Sequence, residues 1–306
     1  AAFEARPRHD IRAFTFSTLS LPGILSNVAN KFLRDGFNSV DMAWRQITAL
    51  RSVRDFKTVT SYTLTGGFEY DVVAPGGELH HATAGEETYT NKADTYGRMF
   101  AIDRRDIIND DLGALTRIPW KLGRGGGLKL NTVFWAEFLD SATFWDDTVY
   151  HNYGNAAGYA LGAAGLAAAN EYWHAMVDPN GYPLGLTPRL MLVPPELEVV
   201  ALQLMNSMEI LGTTTADTKM YGSANVFRGR YQVVMSPYLT DASQWYLLSS
   251  PSDMPVIETA FLNGQETPVV ETADADFNVL GIQMRGYHDF GVAKQEPRGG
   301  CKMEAA

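Results

Sequence analysis

The segment at residues 57–103 has the composition of β-strands but too little apolar surface to fold alone. Thr, Val and Tyr alternate with polar residues there, and turn residues interrupt them at Gly66-Gly67 and at Pro75-Gly76-Gly77. This pattern predicts a long β-hairpin. An isolated two-stranded hairpin is barely stable in water, so an arm of roughly 40 residues needs outside support. The segment therefore indicates a ribbon held by another copy of the protein, as in an assembly subunit.

The composition is that of a globular chain with an uneven charge. Its 306 residues, 45% of them hydrophobic, can bury the core of one large domain or two small ones. The net charge of -10 disfavours a dedicated nucleic-acid reader. Residues 1–57 nevertheless carry nine Lys or Arg, among them Arg6, Arg8 and Arg12, against five acids. Either this end contacts a polyanion or it is a solvated arm.

Several classes of protein are disfavoured by simple counts. The single cysteine, Cys301, excludes an intramolecular disulfide framework and a multi-cysteine metal site, which fits a reducing compartment. The apolar run at 156–169 is too short and too rich in glycine to span a bilayer, so no membrane partner is expected. Because the sequence begins AAFEARPRHD, without methionine, it is either a processed product or a partial chain.

Two helical regions flank the ribbon. In residues 17–50 the spacing predicts an amphipathic helix with Pro22 in its first turn, Gly36 as its stop and an apolar face of Ile24, Leu25, Val28 and Phe32. After the ribbon, Asp103 can cap a helix that Pro119 bends or restarts. Its two halves carry apolar faces made of Ile107, Ile108, Leu112 and Leu115, then Leu130, Val133, Phe134 and Phe138. We expect this long element to pack against the closing strands around residues 279–292.

The remainder predicts a mixed domain. An Ala-rich helix near 159–176 precedes a turn at 178–181, a buried strand at 190–193 and a helix at 196–208. Residues 211–230 have the composition of an exposed loop. Strand-like runs follow at 231–235, 244–248, 256–262, 268–272 and 279–293.

Several segments resemble a known family. Residues 104–115 (RRDIINDDLGAL) resemble the segment that opens the spine helix in major head proteins of Mu-like tailed phages. Residues 190–198 (LMLVPPELE) resemble the strand-to-helix step of the axial domain in those proteins, and residues 245–248, 258–264 and 287–292 are similar to their C-terminal strands. The resemblance spans about residues 17–300, and the order and spacing of the segments carry it.

The resemblance implies an α+β chain with the Hong Kong 97-type phage capsid fold. It implies an N-terminal arm at 1–56, an extended hairpin loop at 57–102, a peripheral domain with a long spine helix at 103–150 and 250–306, and an axial domain at 151–249. Subunits of this family self-assemble as hexamers and pentamers into an icosahedral head that encloses double-stranded DNA. The implied location is the virion, after assembly in the host bacterial cytoplasm, with portal, head protease and decoration proteins as further partners.

Motifs that suggest chemistry are incomplete, so the sequence predicts no catalytic residue, no cofactor and no metal. The glycine-rich segment 123–127 lacks the P-loop spacing and follows a helix, which favours close helix packing or flexibility. Asp274, Asp276 and Asn278 imitate the start of a calcium loop, but Val279 and Arg285 stand where glycine and glutamate are needed. His80 and His81 have no third metal ligand nearby, and His151, His174 and His288 are scattered along the chain.

Covalent chemistry has equally little support. Cys301 lies near a polar terminus, and Tyr287-His288-Asp289 is a weak acid–base candidate because strand neighbours point to opposite faces. Relatives of this fold join a loop lysine to a neighbour's asparagine, but Lys92 has no recognisable partner pattern. The alternative to a phage capsid is an encapsulin-like nanocompartment shell that encloses protein cargo; a metabolic enzyme is least supported.

Overall fold

The computed structural model describes residues 21–305 except for short gaps. The gaps comprise residues 67–69, 71, 74, 79–80, 82–83, 104, 106–108, 110–113, 141–142, 180, 213–220 and 275–280. Among the described residues, no helix combines the length and the apolar content needed to cross a bilayer.

Five α-helices and fourteen strands make up the described part of the chain. The helices are α1 (Leu21–Asn38), α2 (Trp44–Ile47), α3 (Ala114–Leu139), α4 (Ala163–Ala175) and α5 (Pro195–Asn206). The first seven strands are β1 (Thr48–Val53), β2 (Val59–Gly66), β3 (Ala84–Asn91), β4 (Asp94–Asp103), β5 (Tyr153–Asn155), β6 (Leu190–Val193) and β7 (Glu209–Gly212). The others are β8 (Tyr221–Ala224), β9 (Gln232–Met235), β10 (Gln244–Leu248), β11 (Ile257–Leu262), β12 (Val269–Asp274), β13 (Gly281–Lys294) and β14 (Gly300–Glu304).

The first sheet has five strands and is organised around the long strand β13. One edge of β13 pairs with β11 and β12, and its other edge pairs with β4. Strand β1 adds to β11 in parallel, while the other pairs are antiparallel. Helices α1 and α3 pack beside each other on this sheet, where Leu33 and Leu122 meet Met284 and Val270. The spine helix therefore packs against the closing strands, as the sequence predicts.

The second sheet also has five strands, in the order β5-β14-β10-β6-β9. Strand β6 is buried along its whole length because its alternate residues serve two different cores. Leu190 and Leu192 face a core that they share with the first sheet, whereas Met191 and Val193 face a core closed by helices α4 and α5. This two-sided burial explains the uninterrupted apolar run LMLV and confirms the predicted buried strand.

The spine helix is confirmed, and it is continuous. Helix α3 has 26 residues and contains Pro119 without ending there. Leu130, Phe134 and Phe138 are buried, as predicted, and Val133 packs against the same core. Ile107, Ile108 and Leu112 lie outside the described residues. Trp135, which the spacing did not single out, is also buried and stacks on Tyr238 at 6.1 Å between ring centroids.

The predicted face of helix α1 is wrong at Val28, whereas Phe32 is half-buried and the side chains of Ile24 and Leu25 are outside the described part of the chain. Val28 is 44% exposed, and the buried side chains are Ala29, Leu33 and Phe37. Pro22 does lie in the first turn, but the helix continues two residues past Gly36. The buried side of α1 differs from the most hydrophobic side because the helix packs on two partners, the sheet and the spine helix.

Glycines allow α1 and α3 to approach until their backbones touch. A Cβ on Gly36 would overlap the carbonyl oxygen of Trp120, and a Cβ on Gly123 would overlap the carbonyl oxygen of Leu33. At Gly127 the nearest side-chain atom would be Cγ2 of Val40 at 3.1 Å. The glycine-rich segment 123–127 therefore serves close helix packing, one of the two uses predicted for it.

The ribbon is shorter than the sequence predicts. Strands β2 and β3 form a separate antiparallel pair, from Val59 opposite Asn91 to Gly66 opposite Ala84. Strand β4, which was included in the predicted ribbon, instead pairs with β13 over ten residues. The alternation of β4 cannot reveal this, because its partner strand lies far away in sequence.

Two strands pair with strands outside the regions predicted for them. Strand β1, within the range 1–56 predicted as an arm, lies parallel to β11 in the first sheet. Strand β14, within the range 250–306 predicted as peripheral, pairs with β10 in the second sheet. Both join strands that are distant in sequence, so local composition contains no sign of the pairing.

The predicted loop at 211–230 is only partly a loop. Strands β7 and β8 form a short antiparallel pair, and Phe227 is buried in the second core. The preceding helix ends at Asn206 rather than Met208. The Thr- and Gly-rich composition concealed the strand because this pair belongs to no larger sheet.

Substitution of Gly123 by alanine tests the helix contact. We expect Gly123→Ala to lower the free energy of unfolding by about 1–3 kcal/mol, since the added methyl group must push the two backbones apart. Gly125→Ala is the matched control, because a Cβ there would meet nothing within 4 Å and alanine favours a helix. Urea denaturation of both variants measures their free energies of unfolding. Equal values for the two variants would contradict the proposed contact.

Candidate assembly surfaces

The β2–β3 ribbon has no core of its own. It forms a two-stranded sheet, and Tyr62 on β2 is 66% exposed. Between the strands, Tyr70 and Val72 are almost completely exposed. Among the described side chains of the two strands, only Val59 at the base of the ribbon joins a small apolar cluster, with Val53, Ala93 and Ala260. Its apolar side chains are thus available to a surface outside this copy of the chain.

A buried ionic cluster, here called the latch, ties the ribbon to the body. Arg298 is 8% exposed and donates to Glu87 of β3 at 2.9 Å and to Glu296 at 2.8 Å. The hydroxyl of Tyr89 donates to Glu296 at 2.7 Å and lies 3.0 Å from Glu87. The guanidinium also lies over the ring of Tyr150, at 5.3 Å. The latch therefore sets the direction in which the ribbon leaves the sheet.

The charges of the latch are mutually adjusted. The hydrogen bond from Arg298 holds the pKa of Glu87 below its ordinary value, against the opposing effect of burial. Burial raises the pKa of Tyr89, and the carboxylate of Glu296 raises it further. Burial alone would lower the pKa of Arg298, but its bonds to Glu87 and the charge of Glu296 give a net rise. Near neutral pH, Glu87 and Arg298 are therefore charged and the hydroxyl of Tyr89 is protonated, so it can act as a donor.

A second polar contact holds the other strand. Arg51 donates to the hydroxyl of Ser61 on β2 at 2.6 Å and lies 3.5 Å from Glu258. The amide of Asn91, at the end of β3, donates to the carboxylate of Glu258 at 3.0 Å. The base of the ribbon is therefore fixed on both strands, whereas its far end has no such contact within the described residues.

A groove of about 640 Å³ runs between the spine helix and strand β4. Its walls are largely apolar and include Leu33, Phe100, Ile118, Leu122, Pro268 and Phe290. Three exposed cations also line it: Arg98, Lys121 and Lys129. Lys129 lies over the ring of Tyr96, 5.3 Å from its centroid. An apolar groove with a cationic border suits an acidic segment that carries apolar side chains.

His288 forms part of the floor of the groove. Its side chain is 3% exposed and lies among the rings of Phe37, Phe261 and Phe290, at 5.7, 5.5 and 5.0 Å. Neither ring nitrogen makes a well-aligned hydrogen bond with the described residues. Burial lowers the pKa of His288 to about 4, although the backbone of Gln265 and the charge of Asp289 oppose the shift. The imidazole is therefore neutral in the folded protein.

The candidate chemical residues are not brought together. Asp276 and Asn278 lie outside the described residues, as does His80, and the side chain of Asp274 is not described. His81, His151 and His174 are exposed and separate. Within the part of the chain that the structure describes, no three His, Cys, Asp or Glu side chains are placed to hold a metal ion.

The remaining candidates have structural surroundings. The hydroxyl of Tyr287 donates to Glu271 at 3.0 Å and Asp289 accepts from Thr95 at 2.6 Å, while His288 points to the opposite, buried side. Burial raises the pKa of Cys301 well above its ordinary value, so the thiol is unreactive. Lys92 pairs with Asp94 at 3.2 Å, at the base of the ribbon.

The latch is the functional feature that sequence reasoning missed. Glu87 and Arg298 are 211 residues apart, and neither belongs to a motif. The only available sign was a pair of acids, Glu86 and Glu87, in a strand with little apolar surface. Their partner could not be identified without the fold.

Solved structures share this architecture. The capsid structure of the cyanophage P-SCSP1u is 13% identical, with 86% of this chain and 88% of that chain covered and a TM-score of 0.59. A structure of Mycobacterium phage Adephagia is 13% identical, with 87% and 88% covered and a TM-score of 0.53. A virus-like particle from Pyrococcus furiosus is 10% identical, with 91% and 98% covered and a TM-score of 0.51. No curated protein matches the sequence.

These likenesses, with the spine helix, ribbon and two sheets, define the class as the Hong Kong 97-type capsid fold. The model of the family described as phage capsid protein matches residues 86–303. The chain therefore belongs to the phage capsid protein family, and its role is structural. The finer resemblance to Mu-like phages stays a prediction.

Acid should weaken the fold through His288. Its pKa is about 4 in the folded chain and 6.5 ordinarily, so the unfolded chain binds an extra proton between these values. The stability that depends on neutral His288 is therefore fully present above pH 6.5 and is lost as the pH drops toward 4. At pH 5 this loss lowers the free energy of unfolding by about 2 kcal/mol. Urea denaturation at pH 7.5 and pH 5 measures it. His288→Leu should remove this part of the loss, whereas exposed His174→Gln should not; an unchanged loss in His288→Leu would refute the assignment.

Removal of the latch arginine should free the ribbon. Arg298→Gln leaves Glu296 buried without its cation, which typically costs about 3–5 kcal/mol. We expect faster amide hydrogen exchange in β2 and β3. Arg285→Gln is the control, since the Arg285–Glu271 pair is exposed and such pairs are worth about 0–1 kcal/mol. Equal exchange in both variants would show that the latch does not hold the ribbon.

Proposed function

We propose that the chain self-assembles, as hexamers and pentamers, into the icosahedral head of a tailed phage that encloses double-stranded DNA. The observation that carries this proposal is the β2–β3 ribbon, which is fixed at its base by the latch but exposes apolar residues beyond it. A ribbon with this combination gains stability only from a neighbour. The proposal includes no catalytic residue, no cofactor site and no metal site. The proposed location is the virion, after assembly in the host cytoplasm.

The groove is the proposed acceptor for a neighbour's ribbon. Residues 67–83 at the ribbon's end contain three acids, Glu69, Asp71 and Glu78, and no Lys or Arg. The same stretch contains the exposed Tyr70 and Val72. The groove offers apolar walls and the cations Arg98, Lys121 and Lys129. Opposite charge and shared apolar character favour this pairing over contact between two ribbons.

The two sheets suggest how the predicted domains divide. We assign the first sheet and the spine helix to the peripheral domain, and the second sheet with helices α4 and α5 to the axial domain. On this division β1 joins the peripheral domain and β14 the axial domain, which modifies the predicted ranges. Portal, head protease and decoration proteins remain proposed partners.

Packaged DNA is favoured over protein cargo. The matching family is one of phage capsid proteins, and one of the similar solved structures is the capsid of a cyanophage. The virus-like particle from Pyrococcus furiosus has the same fold, so the fold alone does not separate the two contents. Nuclease-protected DNA in purified particles would favour the phage head, and particles that contain only protein would favour the nanocompartment.

Shortening the ribbon tests assembly. Since Gly66 lies opposite Ala84, a two-residue Asn-Gly turn can replace residues 67–83 and still close the hairpin. We expect a folded subunit that no longer forms closed shells, because the segment that binds the neighbour is gone. Circular dichroism checks the fold, and electron microscopy counts the particles.

The matched control retains the segment but removes its charge. Glu69→Gln, Asp71→Asn and Glu78→Gln together should slow assembly and leave some shells, since the apolar side chains remain. Normal particles from the shortened ribbon would overturn the proposal that the ribbon links subunits.

A further inference from the structure

The two helices that cover the first sheet carry an excess of cations in an acidic chain. Helices α1 and α3 contain six Lys or Arg and two acids, Asp35 and Glu137, although the whole chain has a net charge of -10. Five of these cations form what is here called the basic helical face: Lys31, Arg34, Arg117, Lys121 and Arg124. All five side chains are exposed.

Helix packing directs these cations away from the protein. The inner side of α1 is occupied by Ala29, Leu33 and Phe37, and that of α3 by Gly123 and Phe134. The basic positions lie on the outer side of each helix, and both helices rest on the same sheet. Both helices therefore carry cations on the side that is turned away from the sheet.

These cations are not neutralised within the subunit. None of the five forms an ion pair with a described residue. Arg124 donates to the hydroxyl of Ser39, at 3.1 Å, and to its carbonyl, and its guanidinium lies over the ring of Trp120, but none of these groups is an anion. Cations on the strands, such as Arg51, Arg285 and Lys302, do pair with acids. Unpaired cations that are close together attract a polyanion most strongly at low salt.

The arrangement fits a phosphate polymer. On α3 the cations recur every three or four residues, so Arg117, Lys121 and Arg124 span about 10 Å along the axis. Duplex DNA carries one charge per about 1.7 Å of helix axis. A duplex that lies across this row of cations therefore has phosphates within reach of each of them. We propose that the basic helical face is the surface that contacts packaged double-stranded DNA. This inference rests on the proposed function and adds the residues that make the contact.

Two further points favour DNA over an acidic protein. A protein partner requires a packed apolar centre, and the apolar groove lies beside this face, next to β4, with Lys121 on the border between the two. In addition, the sequence immediately before α1 contains Arg6, Arg8 and Arg12. The basic helical face thus continues, in sequence, the cationic segment expected to meet a polyanion.

The test variant replaces Lys31, Arg34, Arg117 and Arg124 by glutamine, and leaves Lys121 because it also lines the groove. The control replaces Arg189, Arg228, Arg230 and Arg285 by glutamine; these are exposed elsewhere and change the net charge equally. Fluorescence anisotropy of a 30-base-pair duplex, titrated with full-length unassembled subunits at several salt concentrations, measures binding.

The expected loss is at least tenfold in affinity at low salt for the test variant and under threefold for the control. The slope of log K against log salt should fall by about 3.6 in the test variant, since each of the four lost phosphate contacts contributes about 0.9. Absent binding by the unaltered chain, or equal losses in both variants, would overturn the inference. Equally tight binding of polyglutamate would overturn it too, in favour of an acidic protein.

Electron microscopy of the same proteins separates this inference from the proposed function. If shells form normally but the test and control variants bind the duplex equally well, the proposed DNA surface is refuted and the proposed assembly is not. An unaltered chain that forms no shells would refute assembly, whereas the duplex titration would still decide the DNA surface because it uses unassembled subunits.

Discussion

The contact between the backbones of α1 and α3 is the constraint on which the rest of the peripheral structure depends. Gly36 and Gly123 each face a carbonyl of the opposite helix, so the two helices form one thin layer on the sheet. With larger side chains the helices would separate, and the groove beside β4 and the cations on the outer side would both be displaced. Two small residues thereby determine the position of two proposed binding surfaces.

The ribbon combines a fixed base with an unsupported end. Arg298 is buried and shared by two carboxylates, so the direction of the ribbon is costly to change near neutral pH. Beyond the base, the strands lack apolar contacts within the described residues. Such a division is suited to an assembly element, because a defined direction lowers the entropy lost when a neighbour is bound, and exposed apolar residues supply the energy.

Both proposed surfaces are distributed rather than enclosed. The groove has apolar walls with cations beside them, whereas the basic helical face consists of cations on α1 and α3 and shares Lys121 with the border of the groove. One helix can therefore serve two partners of different chemistry, since its sides differ in apolar content. His288 lies beneath the groove as a neutral group whose burial makes the fold sensitive to acid.

Local sequence patterns were sufficient for elements whose character is set by near neighbours. The spacing of Leu130, Phe134 and Phe138 determined the buried side of the spine, the LMLV run determined a strand buried on both faces, and alternation with turn residues determined the ribbon. Pairings between distant residues were decided by the tertiary structure alone: β4 with β13, β14 with β10, and Glu87 with Arg298. Backbone hydrogen bonds between strands are indifferent to residue type, and an ion pair needs only opposite charge, so neither leaves a local trace. The buried side of α1 was decided in the same way, because two partners compete for one helix and only their final positions show which side is covered.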